Sequence, residues 1–386
     1  MISFDAPSTI FITCHKRLAP YVEREVREAG FTIDQVHVTG VQLNGSLNDC
    51  IRLNLRLRCA SQVLYSMVKF KAENADDVYE EVLKYDWENI ISGDAYFSVT
   101  STVDNPTINN NLFANLRVKD AIVDRFRSMG KDRPNSGAEL TGTVVHLHWK
   151  NEDAELFLDT SGDSLARHGY RKAPGRAPML EALAAATIMA TNWNQRTPFI
   201  NPMCGSGTLA IEAALMATNT APGLFRSNFA FMHIAGYDEE MYLSERGKLD
   251  NSIETPDGLR IIATDYSSQA IANARKNARA AGVDDLIEFS VCDFYDTPVP
   301  ADGGGIMLIN PEYGERLGDV QELTETYSRI GDFMKKRCNG YTGYVFTGNL
   351  ELGKKIGLKP SRKIEFYTST IDCRLFEYEL YSGSRR

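Results

Sequence analysis

Pro198-Phe199-Ile200-Asn201-Pro202-Met203-Cys204-Gly205-Ser206-Gly207-Thr208 reads as a short strand, a tight glycine turn and the start of a helix. Glycines at such a turn let the backbone approach a ligand closely, and the helix N-terminus behind them offers unpaired N–H groups. Outward from this stretch, strand and helix patterns alternate. Helices are expected over Met179 to Trp193, Ser206 to Ala217, Ser267 to Ala281 and Gln321 to Lys336. Strands are expected over Thr197 to Asn201, Leu259 to Asp265, Leu286 to Val291, Gly305 to Asn310 and Tyr341 to Thr347. This alternation implies a parallel sheet covered on both faces. Two final β-runs, Arg362 to Thr368 and Cys373 to Tyr381, have no helix between them and should pair as an antiparallel edge hairpin. Residues 219 to 257 interrupt the alternation and read as an insertion.

Two ligands compete for the glycine turn. Gly205-x-Gly207-x-x-Ala210 formally fits a dinucleotide fingerprint, which would make an NAD-dependent oxidoreductase. That fingerprint expects its ribose-binding acid about 20 residues on, whereas the first strand-terminal acid here is Asp265. The other ligand is S-adenosylmethionine. Asn201, Pro202, Met203, Gly205, Gly207 and Thr208 would then hold its methionine end, Asp265 the ribose and Asp293 the adenine. All lie at carboxyl ends of expected parallel strands, where open α/β sheets bind ligands. Helix capping is the competing role for both acids.

The strand at Gly305 ends in Asn310-Pro311-Glu312-Tyr313. The lone pair of a nucleobase exocyclic amine is delocalised into the ring. An amide oxygen at Asn310 and the backbone carbonyl of Pro311 can accept the amine's two hydrogens and aim that lone pair at a methyl donor. Proline presents its carbonyl rigidly, and Tyr313 can stack on an extruded base. Asn310, Pro311 and Tyr313 are therefore the candidate catalytic residues, with Asn310 also bordering the cofactor. The same logic serves an adenine-N6 methyltransferase acting on DNA.

Upstream, the first 175 residues carry no glycine-rich loop. Ser8 to Cys14 suggests a strand and Arg17 to Ala29 a helix stopped by Gly30, while Val36 to Leu43 and Cys50 to Leu57 alternate as strands. Asn111 to Met129 suggests a helix with Leu116, Ile122, Val123 and Phe126 buried; Lys119 falls on that stripe, either snorkelling or engaged in binding. Thr143 to Trp149 and Ala154 to Asp159 read as a hairpin. From Ser164 to Leu180 there is no acid, but Arg167, Arg171, Lys172 and Arg176 with His168 and Tyr170 interleaved, a pattern suited to an RNA backbone and a stacked base.

Composition narrows the classes. The chain has 386 residues, 43% apolar and 24% charged, enough for more than one domain. Its net charge of −9 argues against indiscriminate coating of nucleic acid, though not against a local basic surface. No apolar run is long enough to span a membrane, and the N-terminus lacks a signal-like basic region. Seven scattered cysteines without a Cys-x-x-Cys pair suggest reduced thiols in a cytoplasmic protein with no metal site. His146-x-His148 lacks a third ligand.

Asn201 to Glu212 and Asn310 to Leu317 together resemble the paired motifs of THUMP-containing, S-adenosylmethionine-dependent guanine-N2 RNA methyltransferases, notably the bacterial 23S ribosomal RNA enzymes. The likeness extends to Cys50–Ala60, Val118–Asp124 and Asp159–Arg171, and so covers nearly the whole chain. It implies a seven-stranded class I methyltransferase domain with an antiparallel edge at residues 161–386, preceded by a ferredoxin-like module at 1–50 and a THUMP RNA-binding domain at 51–160. It also implies an RNA partner, for which the charge pattern makes Lys119, Arg167, His168, Arg171, Lys172 and Arg176 the candidate contacts. The chain departs from the family pattern at three places: Asn201 stands for the usual Asp, Glu312 for a second proline, and Leu180 for a Lys before Glu181. These put substrate choice and rate in question more than cofactor binding. A non-catalytic RNA-binding or ribosome-assembly factor is the remaining alternative.

Overall fold

Alternating buried isoleucines at 10 and 12 build β1 (Ser8–Thr13), and α1 (Ala19–Glu28) buries Val22 and Val26 before Gly30 ends it in a left-handed conformation. The structure is a computed structural model and describes residues 2–92, 94–106, 108, 110–175, 178–301, 303–313, 320–368 and 371–381. The single strand expected over Val36 to Leu43 is instead a hairpin of β2 (Gln35–His37) and β3 (Gly40–Gly45).

The strand expected at Cys50 to Leu57 is a helix, α2 (Leu47–Arg56). Ser46 caps it: its hydroxyl accepts the Asp49 N–H at 3.2 Å, and the Asp49 carboxylate accepts the Ser46 N–H at 2.9 Å. Leu47, Cys50, Ile51, Leu53, Asn54 and Leu55 are buried, and Arg52 and Arg56 share the other face, where both approach Glu245. The domain boundary expected at residue 50 thus falls inside a helix.

Further along run β4 (Gln62–Lys71), α3 (Ala75–Leu83), β5 (Tyr96–Asp104), α4 (Asn111–Ser128), β6 (Asn135–Gly137), β7 (Thr143–Lys150) and β8 (Asp153–Asp159). On α4 the buried face is Ala114, Val118, Ala121, Ile122, Val123 and Phe126; Leu116, expected there, is 48% exposed because the true stripe is centred on Val118. β7 and β8 pair as the expected hairpin. One mixed eight-stranded sheet, ordered β2-β3-β1-β4-β8-β7-β5-β6, takes in all of these strands. The portions expected to be ferredoxin-like and THUMP therefore share a sheet, in which β4 pairs antiparallel with β1 on one side and with β8 on the other.

A second sheet holds the candidate site. Its elements are α5 (Glu181–Met189), β9 (Phe199–Pro202), α6 (Thr208–Ala217), then, beyond α7 (Glu239–Asp250), β10 (Ile261–Asp265), α8 (Ser268–Ala280), β11 (Ile287–Val291), β12 (Ile306–Ile309), α9 (Val320–Arg337), β13 (Thr342–Thr347), α10 (Leu350–Lys355), β14 (Arg362–Thr368) and β15 (Ile371–Glu379). Strand order is β11-β10-β9-β12-β13-β15-β14; the first five are parallel, and β15 pairs antiparallel with both β13 and β14. α5 and α6 are alanine-rich and buried along their whole length. Met307, Ile309, Val345, Tyr327, Ile330 and Phe333 form the core between the sheet and α9.

The chain divides into two compact units. One takes the residues through His15, Val22–Leu165 and Pro222–Leu249; the other takes Lys16–Tyr21, Ala166–Ala221 and the residues from Asp250 onward. The interruption read as an insertion in the C-terminal half thus belongs mostly to the first unit. Among the described residues, no helix is long and apolar enough to cross a membrane.

Candidate active site

β9 is the first strand of the second sheet; β10 and β11 follow on one side of it and β12 lies on the other. At such a reversal of strand order, open α/β sheets bind ligands at the carboxyl ends of the strands. The glycine turn closes β9 there. Met203, Gly205 and Gly207 have φ of +52°, +56° and +85°, so a non-glycine residue is held left-handed in the loop, a form of local strain common at binding sites. The Cys204 N–H donates to the Thr264 carbonyl at 2.9 Å, fixing the loop to β10. Burial, with Asp265 nearby, pushes the Cys204 thiol up, so this cysteine is no thiolate nucleophile at neutral pH.

Asp265 is 7% exposed, and both of its oxygens hold backbone: Oδ2 accepts the Gly205 N–H at 3.0 Å and Oδ1 the Ser267 N–H at 2.9 Å. Asp265 does not cap α8, whose N-cap is Ser267; its carboxylate instead braces the glycine turn and the turn that leads into that helix. Asp293 caps the turn after β11 by accepting the Tyr295 N–H, and the same oxygen accepts from Arg329 at 2.9 Å. Tyr266, beside Asp265, is 74% exposed and offers an aromatic face that the sequence reading passed over.

Two asparagines end the neighbouring strands β9 and β12. Asn201 is 1% exposed; its Nδ2 donates to the Leu308 carbonyl at 2.8 Å, tying β9 to β12. Its Oδ1, and the Oδ1 of Asn310, are buried with no hydrogen-bond partner among the described residues. Buried oxygens of this kind are rare unless a ligand supplies the donor. Pro202, Thr208 and Pro311 are buried, Glu312 is exposed and Tyr313 is half-buried. The Tyr313 ring lies against Gly348, where an added Cβ would come within 3.0 Å of its edge. Of the family-like stretch Asn310 to Leu317, the residues after Tyr313 lie outside the described ones.

The candidate RNA contacts separate into different environments. Arg167 and Lys172 are exposed. His168 is not available to RNA: it is 1% exposed, and its Nδ1 lies 2.8 Å from Oε1 of the buried Glu212 on α6. Nor is the Arg171 guanidinium, which is held by Glu181 at 3.0 Å and by the Met179 carbonyl at 2.6 Å. Both are taken by acids or carbonyls that tertiary packing supplies. Arg176 lies outside the described residues. Lys119 belongs to the other unit, half-buried beside a cleft of about 480 Å³ shared with Tyr79, Asp120, Arg127 and Arg133. Asn277 on α8 was missed; its signal was an asparagine on an otherwise apolar stripe of Ile271, Ala274 and Ala278.

The chain matches models of three domains: an RlmL ferredoxin-like domain at residues 9–64, a THUMP domain at 72–159, and an RMKL-like methyltransferase domain at 168–377. A ribosomal RNA large subunit methyltransferase K/L of Syntrophotalea carbinolica is 36% identical over 97% of this chain and 54% of its own length. The chain thus spans about half the length of the K/L relatives it matches. A Synechocystis sp. protein named as an RNA methyltransferase is 34% identical, with 96% of both chains covered. Among solved structures, a methyltransferase crystallised with S-adenosylhomocysteine superposes with a TM-score of 0.87 at 27% identity, covering 98% of this chain and 99% of that one. A Listeria monocytogenes protein named as an N6-adenine-specific DNA methylase gives a TM-score of 0.86 at 30% identity, with 97% of both covered.

Proposed function

The chain belongs to the RMKL-like methyltransferase family that carries ferredoxin-like and THUMP domains, and from that premise we propose that it methylates RNA, using S-adenosylmethionine, on the exocyclic N2 of a guanine in 23S ribosomal RNA. The observation that carries the reading is the buried, unpartnered Oδ1 of Asn310 at the carboxyl end of β12.

The residues present fit the cofactor. The left-handed loop at Met203, Gly205 and Gly207 is a cradle, with the unpartnered Oδ1 of Asn201 beside it. Asp265 keeps spare acceptor capacity for ribose hydroxyls, since each carboxylate oxygen has two lone pairs, and Asp293 stands at the end of β11 for the adenine. When bound, S-adenosylmethionine supplies an electrophilic methyl on a sulfonium.

The chain's own residues do the positioning. Asn310 Oδ1 and the Pro311 carbonyl accept the two amine hydrogens and direct the nitrogen lone pair. Tyr313 stacks on the base flipped out of its helix. The proton then leaves to water, because the methylated aminium is strongly acidic. Exposed Arg167 and Lys172, and Lys119 in the THUMP portion, supply phosphate contacts. This work on ribosomal RNA is placed in the cytoplasm.

A second reading, adenine-N6 methylation of DNA, is favoured by the name of the Listeria structure and opposed by the THUMP domain. Tritiated methyl transfer into protein-free 23S RNA, with bulk tRNA and duplex DNA in parallel, tests both. Label recovered as N2-methylguanine from 23S RNA is the expected outcome. Label in DNA as N6-methyladenine supports the second reading, and label in neither despite S-adenosylhomocysteine binding overturns both.

A further inference from the structure

Asn277 is 1% exposed in the last turn of α8, and a buried amide needs partners for its oxygen and both of its hydrogens. It has them all, on two separate segments. Oδ1 accepts the backbone N–H of Lys172 at 2.9 Å and of Ala173 at 2.8 Å, while Nδ2 donates to the Ala173 carbonyl at 2.9 Å and to the Ser206 carbonyl at 3.1 Å. Lys172 and Ala173 lie in the connector ahead of α5, and Ser206 lies in the glycine turn.

Two close approaches reinforce the link. A Cβ on Gly207 would sit 2.9 Å from that of Ala274, one turn earlier on α8, so the glycine turn rests directly on this helix. A Cβ on Gly175 would sit 3.6 Å from the Ser206 Cβ, so the connector runs in contact range over the same turn. Upstream, Arg171 anchors the connector to Glu181 and His168 anchors it to Glu212.

We infer that Asn277 is a positioning residue that joins the connector Lys172–Gly175 to the glycine turn, so that cofactor binding and connector placement are one coupled event. If either segment moves alone, its own buried groups and the matching part of the Asn277 amide lose their partners, so the amide favours the two segments staying together. The connector carries the exposed Lys172, so the coupling runs between the cofactor and a segment that faces RNA, and by linkage it acts in both directions. This deepens the proposed function and rests on its S-adenosylmethionine reading.

Hydrogen exchange of the full chain, with and without S-adenosylhomocysteine, tests it. In the wild type the ligand should slow exchange at the Lys172 and Ala173 amides about tenfold, and Asn277→Ala should abolish that response and weaken ligand affinity by about the same factor. Asn277→Asp keeps the acceptor for the two connector amides and loses the donor to both the Ser206 and the Ala173 carbonyls. It should leave those amides protected without ligand but unresponsive to it. A merely structural role would lower thermal stability without changing how exchange depends on ligand. Ligand binding that leaves the wild-type connector amides unchanged overturns the inference alone, whether or not the variants fold. Wild-type protein that binds no S-adenosylhomocysteine overturns the cofactor reading, and the inference with it.

Discussion

His168 and Glu212 meet at 2.8 Å, Nδ1 to Oε1, with both side chains fully shielded from solvent. The pair ties the residues leading into the connector to α6, the helix that begins at the glycine turn. Removing one partner strands the other, and a buried group left without its hydrogen bond typically costs about 1–3 kcal/mol. His168→Ala should therefore lower the free energy of urea unfolding by roughly that amount. RNA affinity of the folded variant should stay within about twofold of wild type, whereas Lys172→Ala should weaken RNA binding and flatten its salt dependence. An RNA defect for His168→Ala without lost stability would return that histidine to the interface.

The methyltransferase half was legible because its signals are local. A strand ending in glycines, an acid at the end of the next strand and Asn-Pro-x-Tyr two strands later are each read within a few residues, and the sheet brings their carboxyl ends to one edge. The roles of His168 and Arg171 were not legible, because their partners are chosen by packing: Glu212 is 44 residues from His168. Two interleaved basic residues look the same in sequence whether they face RNA or a buried carboxylate. In α2 the apolar residues at 51, 53 and 55 alternate as a strand would, and only the Ser46–Asp49 capping pair distinguishes the helix.

That pair gives a prediction of its own. Ser46→Ala removes the acceptor for the Asp49 N–H and should cost about 1 kcal/mol in urea unfolding. Ser46→Thr, which keeps both the capping oxygen and the hydroxyl that donates to the Asp49 carboxylate, should recover most of it. If Ser46→Ala is neutral, the helix does not depend on its box.

Asn310→Ala removes the acceptor proposed for the amine and, among the described residues, no side-chain hydrogen bond that holds the strand. Methyl transfer should fall by about 10²–10³-fold, by analogy with losing one oriented group at a reacting centre. S-adenosylhomocysteine affinity, read by calorimetry, should stay within about threefold, since loss of a single rim contact is small. Full transfer by this variant would show that the amine is oriented elsewhere.

Two buried groups in the first unit should give opposite pH dependences. Burial pushes Asp159 up to about 6 from 3.8, against the pull of the Ser161 and Gly162 N–H groups and of Gln62. Burial, with His148, pushes His146 down to about 4 from 6.5. Between these limits Asp159 is protonated when folded and ionised when unfolded, so its contribution to stability is lost as pH rises. His146 is neutral when folded and charged when unfolded, so its contribution is lost as pH falls. Each slope is at most about 1.4 kcal/mol per pH unit. Relative to wild type, Asp159→Asn should gain stability from about pH 4 to pH 7 and His146→Gln should lose it, measured by urea unfolding at each end. Parallel shifts in both variants would contradict the assignment.

Gly205 and Gly207 separate backbone strain from close packing within one turn. Both have left-handed φ, +56° and +85°, so alanine at either costs about 1–2 kcal/mol. Around Gly205 a new Cβ would meet nothing within 4 Å, whereas at Gly207 it would lie 2.9 Å from the Ala274 Cβ and 3.3 Å from its Cα. Gly205→Ala should thus show only the strain cost. Gly207→Ala must also push the turn off α8, disturbing the Ser206 carbonyl that Asn277 holds, and should weaken S-adenosylhomocysteine binding by at least tenfold more. Ala274→Gly removes the obstructing Cβ, so the double variant should regain part of that affinity although each single change is unfavourable. Equal effects of the two alanine substitutions, with no recovery in the double variant, would mean that contact between the turn and α8 does not shape the cofactor site.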